Sequence, residues 1–420
     1  MRPFSFVHAA DLHLDSPFKG MTADNPAIAH SVSSATFDTF DSLIDLCIQK
    51  QVEFLLIAGD VYDGVDRSLR AQLRFRDGLD RLAKNGIDSF VVHGNHDPFD
   101  SRSSAIEWPN KVNIFGCHKV ETKPFERDGT PIALISGISH SRRKETQNLA
   151  KRFLRETSGL FHIGLLHCNV GSAVGYDPYA PCELSDLVGL GMDYWALGHV
   201  HEKAILCTDP HVVYSGNTQG RTIREDGERG CYLATVSGRS IVNVEFHPLD
   251  TVRWLRTTVS IDGITTLDRL DAALSGAVQS LTQDADSRSV VCRIEIVGRG
   301  PMYDELWKEK AVDDLLDRTR DNFAAESPFV WIQEIEINCR PEVDLEKRRE
   351  SKDFLGQVLR IVQETRDSKD TTSERLESAL SELFGNRHIQ KALGEFSEVE
   401  INRLLEEAEL LCLNKLEVGE

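Results

Sequence analysis

The chain has 420 residues, of which 40% are hydrophobic and 27% are charged, and its formal net charge is −19 at pH 7. This composition is that of a globular protein, and the length predicts two or three domains because a single core stops growing at roughly 250–300 residues. The longest apolar runs, such as 54–58, are far shorter than the roughly 20 residues of a membrane helix. The first residues lack the apolar core of a signal peptide, so we expect a cytoplasmic protein without a membrane partner.

The acidic balance argues against a nucleic-acid partner, but the charge is unevenly distributed. Residues 251–420 contain 23 Lys and Arg against 35 Asp and Glu, whereas residues 1–250 contain 25 against 32 and thirteen of the fourteen histidines. Two divalent cations would offset part of the negative charge of residues 1–250. The nine cysteines include no C-x-x-C pair, so neither a disulfide framework nor a thiolate zinc site fits their spacing.

Residues 1–250 form a series of short β-rich runs with helical patterns between several of them. The predicted strands are 4–9, 54–58, 89–93, 131–136, 162–166, 194–197, 211–214, 231–236 and 242–246. Helices are predicted over 37–51 and 69–84. Strands that alternate with helices, followed by strands without helices after residue 205, indicate a layered α/β domain with a mixed sheet.

A break near Pro248 separates this first domain, 1–250, from a β/α unit at 251–340. The order predicted for this unit is strand (253–261), helix (266–283), strand (290–298), helix (304–322) and strand (329–338). No polar cluster follows its strands, so we interpret it as a cap domain.

The segment 341–420 is predicted to be a charged helical tail. Its apolar residues share a helix face in two stretches, which comprise Phe354, Val358, Ile361 and Val362 and then Ile401, Leu404, Leu405, Ala408 and Leu411. Two interpretations remain open, a small bundle that folds on itself and a docking element for the helices of a partner.

Five segments of the first domain place Asp, Asn or His directly after a β-rich run. They are 11–13, 60–63, 95–97, 167–169 and 199–201. The ends of strands converge at one edge of an open α/β sheet, which is where such sheets assemble their sites. Oxygen and imidazole ligands without sulfur suit Mn, Fe or Zn, with some tolerance of Mg. A pair of such ions can share one carboxylate and clamp the oxygens of a phosphate, so the pattern predicts a two-metal phosphoesterase.

These segments resemble the calcineurin-like metallophosphoesterase superfamily. The stretches His8–Pro17 (HAADLHLDSP), Ala58–Asp63 (AGDVYD) and Ser215–Arg221 (SGNTQGR) are most similar to the SbcD-type DNA repair exonucleases, in particular the bacterial YhaO branch. The motif-bearing match covers 4–235. It implies a layered α-β-β-α core, with the small β/α cap and the helical C-terminal tail agreeing in layout.

The resemblance also implies the ligands of two divalent ions, foremost Mn. Asp60 would bridge the two ions. The remaining ligands of the first ion would be Asp11, His13 and His201, and those of the second ion Asn95, His167 and His199.

His96 matches the catalytic histidine of the family, which can protonate the leaving oxygen. Asp63 stands where archaeal and eukaryotic relatives carry a histidine. We expect its carboxylate to accept a hydrogen bond from His96 and to raise the pKa of His96. The alternative is that Asp63 only caps the following helix.

For substrate contacts, the basic cluster Arg142, Arg143 and Lys144 could touch a phosphate backbone or be a solvated helix start. The loop residues Asn217 and Arg221 could bind substrate or support the metal loop.

These features allow three functions. The first is a Mn-dependent DNA nuclease for DNA repair, an exonuclease on double-stranded ends with endonuclease activity on hairpins or single strands. No Gly-Lys pair occurs, so ATP-driven steps would require another polypeptide. In the relatives this is a coiled-coil SbcC-type ATPase bound through the tail, and they also form homodimers. The second is a phosphomonoesterase or small-molecule phosphodiesterase, and the third is a DNA-end scaffold for the ATPase. Nucleoid association would follow from the first function in a bacterium.

Overall fold

A computed structural model of the chain describes residues 3–18, 26–64, 68–99, 106–171, 177–342 and 345–367, and short pieces between 403 and 412. Backbone contacts divide the chain into two compact units. The first unit comprises Met1–Thr258, Ala272–Glu295 and Asp313–Glu336, and the second comprises Val259–Asp271, Ile296–Val312 and Ile337–Glu420.

Two six-stranded sheets build most of the first unit. The first sheet has the order β12-β11-β1-β2-β3-β4. Its strands are β1 (Phe4–Ala9), β2 (Phe54–Ala58), β3 (Asp88–Val92), β4 (Val112–Ile114), β11 (Gly230–Ser237) and β12 (Ser240–Pro248). The strands β1 to β4 are parallel, whereas β11 pairs antiparallel with both β1 and β12. This is the mixed sheet that the sequence predicts.

The second sheet has the order β5-β6-β7-β8-β10-β9. Its strands are β5 (Glu121–Arg127), β6 (Thr130–Ile138), β7 (Phe161–His167), β8 (Tyr194–Gly198), β9 (Ala204–Thr208) and β10 (His211–Tyr214). The four central strands are parallel, and the edge strands β5 and β9 pair antiparallel. Each sheet therefore brings the carboxyl ends of several parallel strands to one edge.

Hydrophobic clusters on both faces of the sheets make the layers. Between the sheets lies an aromatic cluster that includes Phe6, Phe54 and Phe90, with the rings of Phe6 and Phe54 stacked at 5.2 Å. The helices α1 (Pro26–Lys50) and α2 (Leu69–Lys84) cover the outer face of the first sheet. The outer face of the second sheet is covered by α3 (Leu184–Val188) and neighbouring loops. The order of layers is therefore α-β-β-α, and the predicted fold class is confirmed.

A third sheet contains three strands in the order β13-β14-β15. The strands are β13 (Val252–Ser260), β14 (Ser289–Val297) and β15 (Val330–Ile337), and the helices between them are α4 (Leu267–Asp284), α5 (Met302–Leu306) and α6 (Ala311–Phe323). Within the first unit, Trp254 of β13 is fully buried in a cluster with Phe18 and Val32. This alternation of strands and helices agrees with the element order predicted for residues 253–338.

The second unit contains two helices of the tail, α7 (Leu345–Arg349) and α8 (Phe354–Asp367). Glu409 is buried and forms ion pairs with Arg349 at 2.8 Å and Arg366 at 3.4 Å. Two residues of the second predicted apolar face, Ile401 and Leu411, lie outside the described residues. Among the described helices, none has both the length and the apolar composition of a membrane span.

The structure differs from the sequence prediction in a few elements. Helix α1 begins at Pro26, well before the predicted start at 37. Its first turns bury Ile28, Val32 and Ala35 at helical spacing, a short apolar pattern among Ser and Ala residues that the prediction did not include. The predicted helix 304–322 is two helices, separated by a turn in which Lys310 has a φ of 67°. The short strands β4, β5 and β9 were not predicted. The three-domain division at 250 and 340 stays a prediction.

Candidate metal centre

The five polar segments meet where the parallel strands of both sheets end. Asp11 and His13 follow β1, Asp60 follows β2 and Asn95 follows β3. From the second sheet, His167 is the last residue of β7, and the segment from His199 to His201 follows β8. Adjacent parallel strands thus deliver side chains that are far apart in sequence to one edge.

Four side chains form a first half-site. The Nε2 atoms of His13 and His201 lie 3.3 Å apart. Nε2 of His13 lies 3.9 Å from an oxygen of Asp60, and Nε2 of His201 lies 4.0 Å from an oxygen of Asp11. Two carboxylates and two imidazole nitrogens therefore surround one point.

A second half-site shares Asp60. Nε2 of His167 lies 3.5 Å from Oδ2 of Asp60 and 2.9 Å from Oδ1 of Asn95. Nδ1 of His199 lies 3.1 Å from the same oxygen of Asn95. Asp60 is therefore the side chain common to both clusters, in the place where a bridging carboxylate is expected.

The backbone at these positions is strained. The φ angles are positive at Asp11 (52°), His13 (43°), Asp60 (49°) and His199 (99°). Residues with side chains rarely occupy this region, and such conformations cluster at functional sites where the surrounding structure enforces them. The strain thus falls on four of the seven predicted ligands.

Three glycines pack around the imidazole of His167. A Cβ atom on Gly59 would lie 2.4 Å from Nδ1 of His167, and one on Gly94 would lie 2.3 Å from Asp60 and 2.7 Å from Nε2 of His167. A Cβ on Gly198 would lie 2.1 Å from the main-chain oxygen of Ala58. Only glycine leaves room for the buried imidazole at these turns.

The donor set fits a pair of divalent ions. Neutral imidazole nitrogens at 3.3 Å, as in His13 and His201, would repel each other unless a proton or a cation lies between them. Combinations of these residues, Asp11 with His13 and His201 and Asp11 with Asp60 and His167, bring their ligand atoms within 4.8 Å of one another. Carboxylate, amide and imidazole donors are those that Mn, Fe and Zn share.

Burial and mutual charge set the protonation of the ligands. Burial raises the pKa of Asp11 to about 6 and lowers the pKa values of His13 and His199 to about 3, so both imidazoles are neutral at pH 7. Burial alone would raise the pKa of Asp60, but the neighbouring His167 lowers it well below its usual range. Burial alone would lower the pKa of His167, but the neighbouring Asp60 outweighs this effect and raises the pKa to about 9. Without an ion, the pair therefore carries opposite charges at pH 7.

The side chain of His96 borders the centre without belonging to either half-site. Its main-chain N–H donates to Asp60 at 2.9 Å, and its Nδ1 donates to the main-chain oxygen of Asp63 at 3.1 Å. The carboxylate of Asp63 is 3.7 Å from Nδ1 of His96 but 3.0 Å from Nδ1 of His13. The expected hydrogen bond to His96 thus comes from the main chain of Asp63, because the carboxylate turns toward His13 and Arg221. The catalytic role of both residues stays a prediction.

A cavity of about 480 Å³ opens at the centre. It is lined by Asp60, Asn95, His96, Asp177, Tyr179, His199 and His201. This volume is within the range of pockets that hold a small ligand.

The predicted substrate residues fall into two groups. Arg142, Arg143 and Lys144 are exposed, and none of them lines the cavity; the next residue, Glu145, accepts with its main-chain oxygen from Ala180 N–H at 2.7 Å. By contrast, Asn217 is fully buried and donates to the main-chain oxygen of Gln219 at 2.9 Å. This burial and contact fit support of the loop, and the role of Asn217 stays a prediction. Arg221 is likewise buried, at 9% exposure, among charged side chains of the centre.

Several residues of the centre were not predicted from the sequence. Glu225 lies 2.6 Å from Nδ1 of His201, and the main-chain oxygen of Asp177 accepts from Nε2 of His199 at 2.8 Å. His140, which is neutral at pH 7 because burial lowers its pKa to about 4, donates to the main-chain oxygen of His167 at 2.7 Å. Glu225 and Asp177 do not follow a β-rich run, so the pattern that found the ligands could not find them, whereas His140 follows β6 and could have been found by it.

Comparison with known proteins gives the following matches. Residues 4–203 match the calcineurin-like phosphoesterase family, and residues 254–340 match the middle domain of the metallophosphoesterase YhaO. A Bacillus subtilis (strain 168) protein named as an uncharacterized metallophosphoesterase, YhaO, is 34% identical over 416 residues, which is 99% of this chain and 98% of that protein.

Two archaeal proteins named DNA double-strand break repair protein Mre11 match more distantly. The protein from Sulfolobus acidocaldarius is 22% identical over 385 residues, or 90% of this chain and 97% of that protein. The protein from Thermoplasma acidophilum is 25% identical over 256 residues, or 59% of this chain and 64% of that protein.

Proposed function

Because the chain belongs to the calcineurin-like metallophosphoesterases, with the YhaO protein as a relative along nearly its whole length, we propose that it is a Mn-dependent DNA nuclease. The proposed reaction is phosphodiester hydrolysis at double-stranded ends, with endonuclease activity on hairpins or single strands. The observation that carries the reaction class is the pair of half-sites that share Asp60. The choice of DNA rests on the distant likeness to proteins named for double-strand break repair.

The candidate ligands form two sets, an arrangement that suits phosphodiester hydrolysis. Asp11, His13, Asp60 and His201 would hold one ion, and Asp60, Asn95, His167 and His199 the other. Two bound divalent ions would supply Lewis acidity, which neutralises phosphate oxygens and lowers the pKa of water. Four of these candidate ligands, Asp60, Asn95, His199 and His201, line the cavity, so ions held by them would be accessible to a phosphate that enters it.

His96 is suited to proton transfer. Since Nδ1 donates to the main-chain oxygen of Asp63, the proton of the neutral imidazole is fixed on Nδ1. To act as the acid, the ring must be the doubly protonated imidazolium, which gives its Nε2 proton to the departing sugar oxygen and keeps the proton on Nδ1. His96 lines the cavity and is partly exposed, so a substrate can reach it.

The exposed cluster Arg142–Lys144 supports a polyanionic substrate. It directly precedes Glu145, whose main-chain oxygen accepts from the N–H of Ala180, the residue that follows the cavity-lining Tyr179. Exposed basic side chains in such a position suit contact with a phosphate backbone. The proposal further includes an SbcC-type ATPase as partner of residues 341–420, and a cytoplasmic location. Both stay predictions.

The decisive experiment measures hydrolysis by the purified chain with Mn²⁺. Substrates are end-labelled blunt duplex DNA, hairpin DNA, single-stranded circular DNA, bis-p-nitrophenyl phosphate and p-nitrophenyl phosphate. Mn-dependent cleavage of DNA that is lost in His96→Asn, purified in the same way, supports the nuclease. Hydrolysis of the monoester alone, with all DNA intact in the absence and presence of the candidate ATPase, would instead identify a phosphomonoesterase.

A further inference from the structure

Each of the four histidines at the half-sites has an oxygen close to the ring nitrogen that is turned away from the shared centre; for His167, His199 and His201 the contact is a hydrogen bond, and for His13 it is a close approach to a carboxylate. For His167 and His199 the acceptor is a main-chain oxygen, of Ala58 and Asp177 respectively, at 2.8 Å in both cases. A main-chain oxygen is fixed by the fold. Such outer contacts determine the tautomer and the direction of a metal-binding imidazole.

The two histidines of the first half-site depend on side chains instead. Nδ1 of His13 lies 3.0 Å from the carboxylate of Asp63, and Nδ1 of His201 lies 2.6 Å from the carboxylate of Glu225. A carboxylate on a loop can rotate, so these contacts orient the imidazoles only if something holds the carboxylates.

Arg221 contacts both carboxylates. Its Nη1 donates to Oδ1 of Asp63 at 2.8 Å and to Oγ of Ser16 at 2.8 Å. Its main-chain N–H donates to Oε2 of Glu225 at 2.7 Å, and its Nη2 lies 3.8 Å from Oε1 of Glu225. The planar guanidinium fixes the geometry of several partners at once, which a lysine ammonium does not do.

The contact between Arg221 and Asp63 also places a positive charge at a third cluster of possible metal ligands. His13, Asp63 and His96 bring ligand atoms within 4.8 Å of one another, an arrangement that could hold a cation. The guanidinium of Arg221 is already 2.8 Å from Oδ1 of Asp63, so the protein supplies a permanent cation there. This keeps the Asp63 carboxylate directed at His13 without a further ion.

Arg221 is itself held firmly in the first unit. A Cβ atom on the preceding Gly220 would lie 2.5 Å from the main-chain oxygen of Glu225, so this tight turn requires glycine. Nε1 of the buried Trp254 donates to the main-chain oxygen of Gly220 at 2.9 Å. With 9% of its surface exposed, Arg221 faces the protein and not the cavity.

We propose that Arg221 is the positioning residue of the first half-site. Its guanidinium holds Asp63 and its main-chain N–H holds Glu225, and through these carboxylates Arg221 orients the imidazoles of His13 and His201 toward a common ion. This role rests on the proposed two-metal function of the centre but not on DNA being the substrate.

The first test is metal binding, measured by isothermal titration of the metal-free full-length protein with Mn²⁺. Arg221→Lys keeps the positive charge and removes the planar fork, and Arg224→Lys makes the same change at the exposed arginine three residues later. We expect Arg221→Lys to weaken binding of one of the two Mn²⁺ ions by about tenfold. Removing a residue that supports a metal ligand typically lowers metal affinity by about 10- to 100-fold. Arg224→Lys should bind as the wild type does. Equal Mn²⁺ affinity of Arg221→Lys and wild type would overturn the proposal.

The second test is a double-mutant cycle with Asp63→Asn, read on bis-p-nitrophenyl phosphate so that it does not depend on DNA cleavage. If Arg221 acts through Asp63, Arg221→Gln lowers kcat about tenfold or more with KM little changed, and the double variant is no slower than the slower single variant. Independent, additive losses, or a rise in KM alone, would mean that Arg221 binds substrate, and would overturn the proposal.

The two proposals fail differently. If the wild type cleaves the ester but no DNA, the nuclease proposal fails while the cycle still tests Arg221. If it cleaves neither, the Mn²⁺ titration alone decides the role of Arg221. Thermal unfolding of each variant identifies any that does not fold, and Arg221→Lys is the variant expected to preserve the fold if Arg221→Gln does not.

Discussion

The Nε2 atoms of His13 and His201 lie 3.3 Å apart although 188 residues separate the two histidines in the chain. Both imidazoles are attached to strand ends, one from each sheet, and the outer nitrogen of each points at a carboxylate. Two ring nitrogens directed at each other in this way define where a cation must lie. Four consequences can be measured.

Mn²⁺ should stabilise the folded protein through the shared carboxylate. A ligand that binds only the folded state adds about 2.7 kcal/mol when its free concentration is one hundred times its Kd. We expect a clear rise in Tm with Mn²⁺ in the wild type and little or none in Asp60→Asn, which keeps the size of the side chain and removes the charge that both half-sites share. Differential scanning calorimetry checks this, and an equal rise in both proteins would contradict the bridging role of Asp60.

Binding of Mn²⁺ should release a proton near neutral pH. Without metal, the pKa of His167 is raised to about 9, so its imidazole is protonated at pH 7.5, whereas a metal ligand must be neutral. The affinity for Mn²⁺ should therefore increase by up to about tenfold per pH unit as pH rises toward 9, and level off above it. Titration calorimetry at pH 7.5 in two buffers of different ionisation enthalpy measures the number of protons released when Mn²⁺ binds. No buffer dependence of the heat would refute the charged His167–Asp60 pair.

Substitution of His96 should separate catalysis from metal binding. General acid catalysis typically contributes 10²–10⁴-fold, so His96→Asn should reduce kcat on the cleaved ester by about that factor. Because His96 belongs to neither half-site, two ions per chain should remain. Steady-state kinetics and elemental analysis of the same sample provide both quantities, and a variant that keeps most of its kcat would exclude His96 as the acid.

Gly94 should be irreplaceable for a steric reason. In Gly94→Ala the new methyl group would lie 2.3 Å from Asp60 and 2.7 Å from Nε2 of His167, so the second half-site must distort and Mn²⁺ binding should weaken by at least about tenfold. Gly64→Ala is the matched control, since a Cβ atom there meets nothing within 4 Å. Mn²⁺ titration of both variants checks the expectation. A normal stoichiometry and Kd in Gly94→Ala would show that the loop relaxes at no cost.

Local sequence patterns were sufficient for the strands that carry the ligands. Strands β1 and β2 begin and end where the apolar runs predict them. The sequence of β2 is a continuous hydrophobic run buried on both faces, and β1 is apolar apart from Ser5 and the buried His8. The polar residue after each run, preceded by glycine at Asp60 and Asn95, indicated a site because few other roles require that combination. Short edge strands such as β4 and β9 have no such signal.

The sequence by itself thus determined the α/β class, the strand ends and the types of ligand, since each is encoded within a few neighbouring residues. Only the tertiary structure decided which side chains touch. Glu225 supports His201, Arg221 joins Glu225 to Asp63, and the Asp63 carboxylate faces His13 at 3.0 Å and His96 at 3.7 Å. No local pattern encodes the direction of a side chain that is set by partners on other loops, which for Arg221 and Asp63 are 158 residues apart.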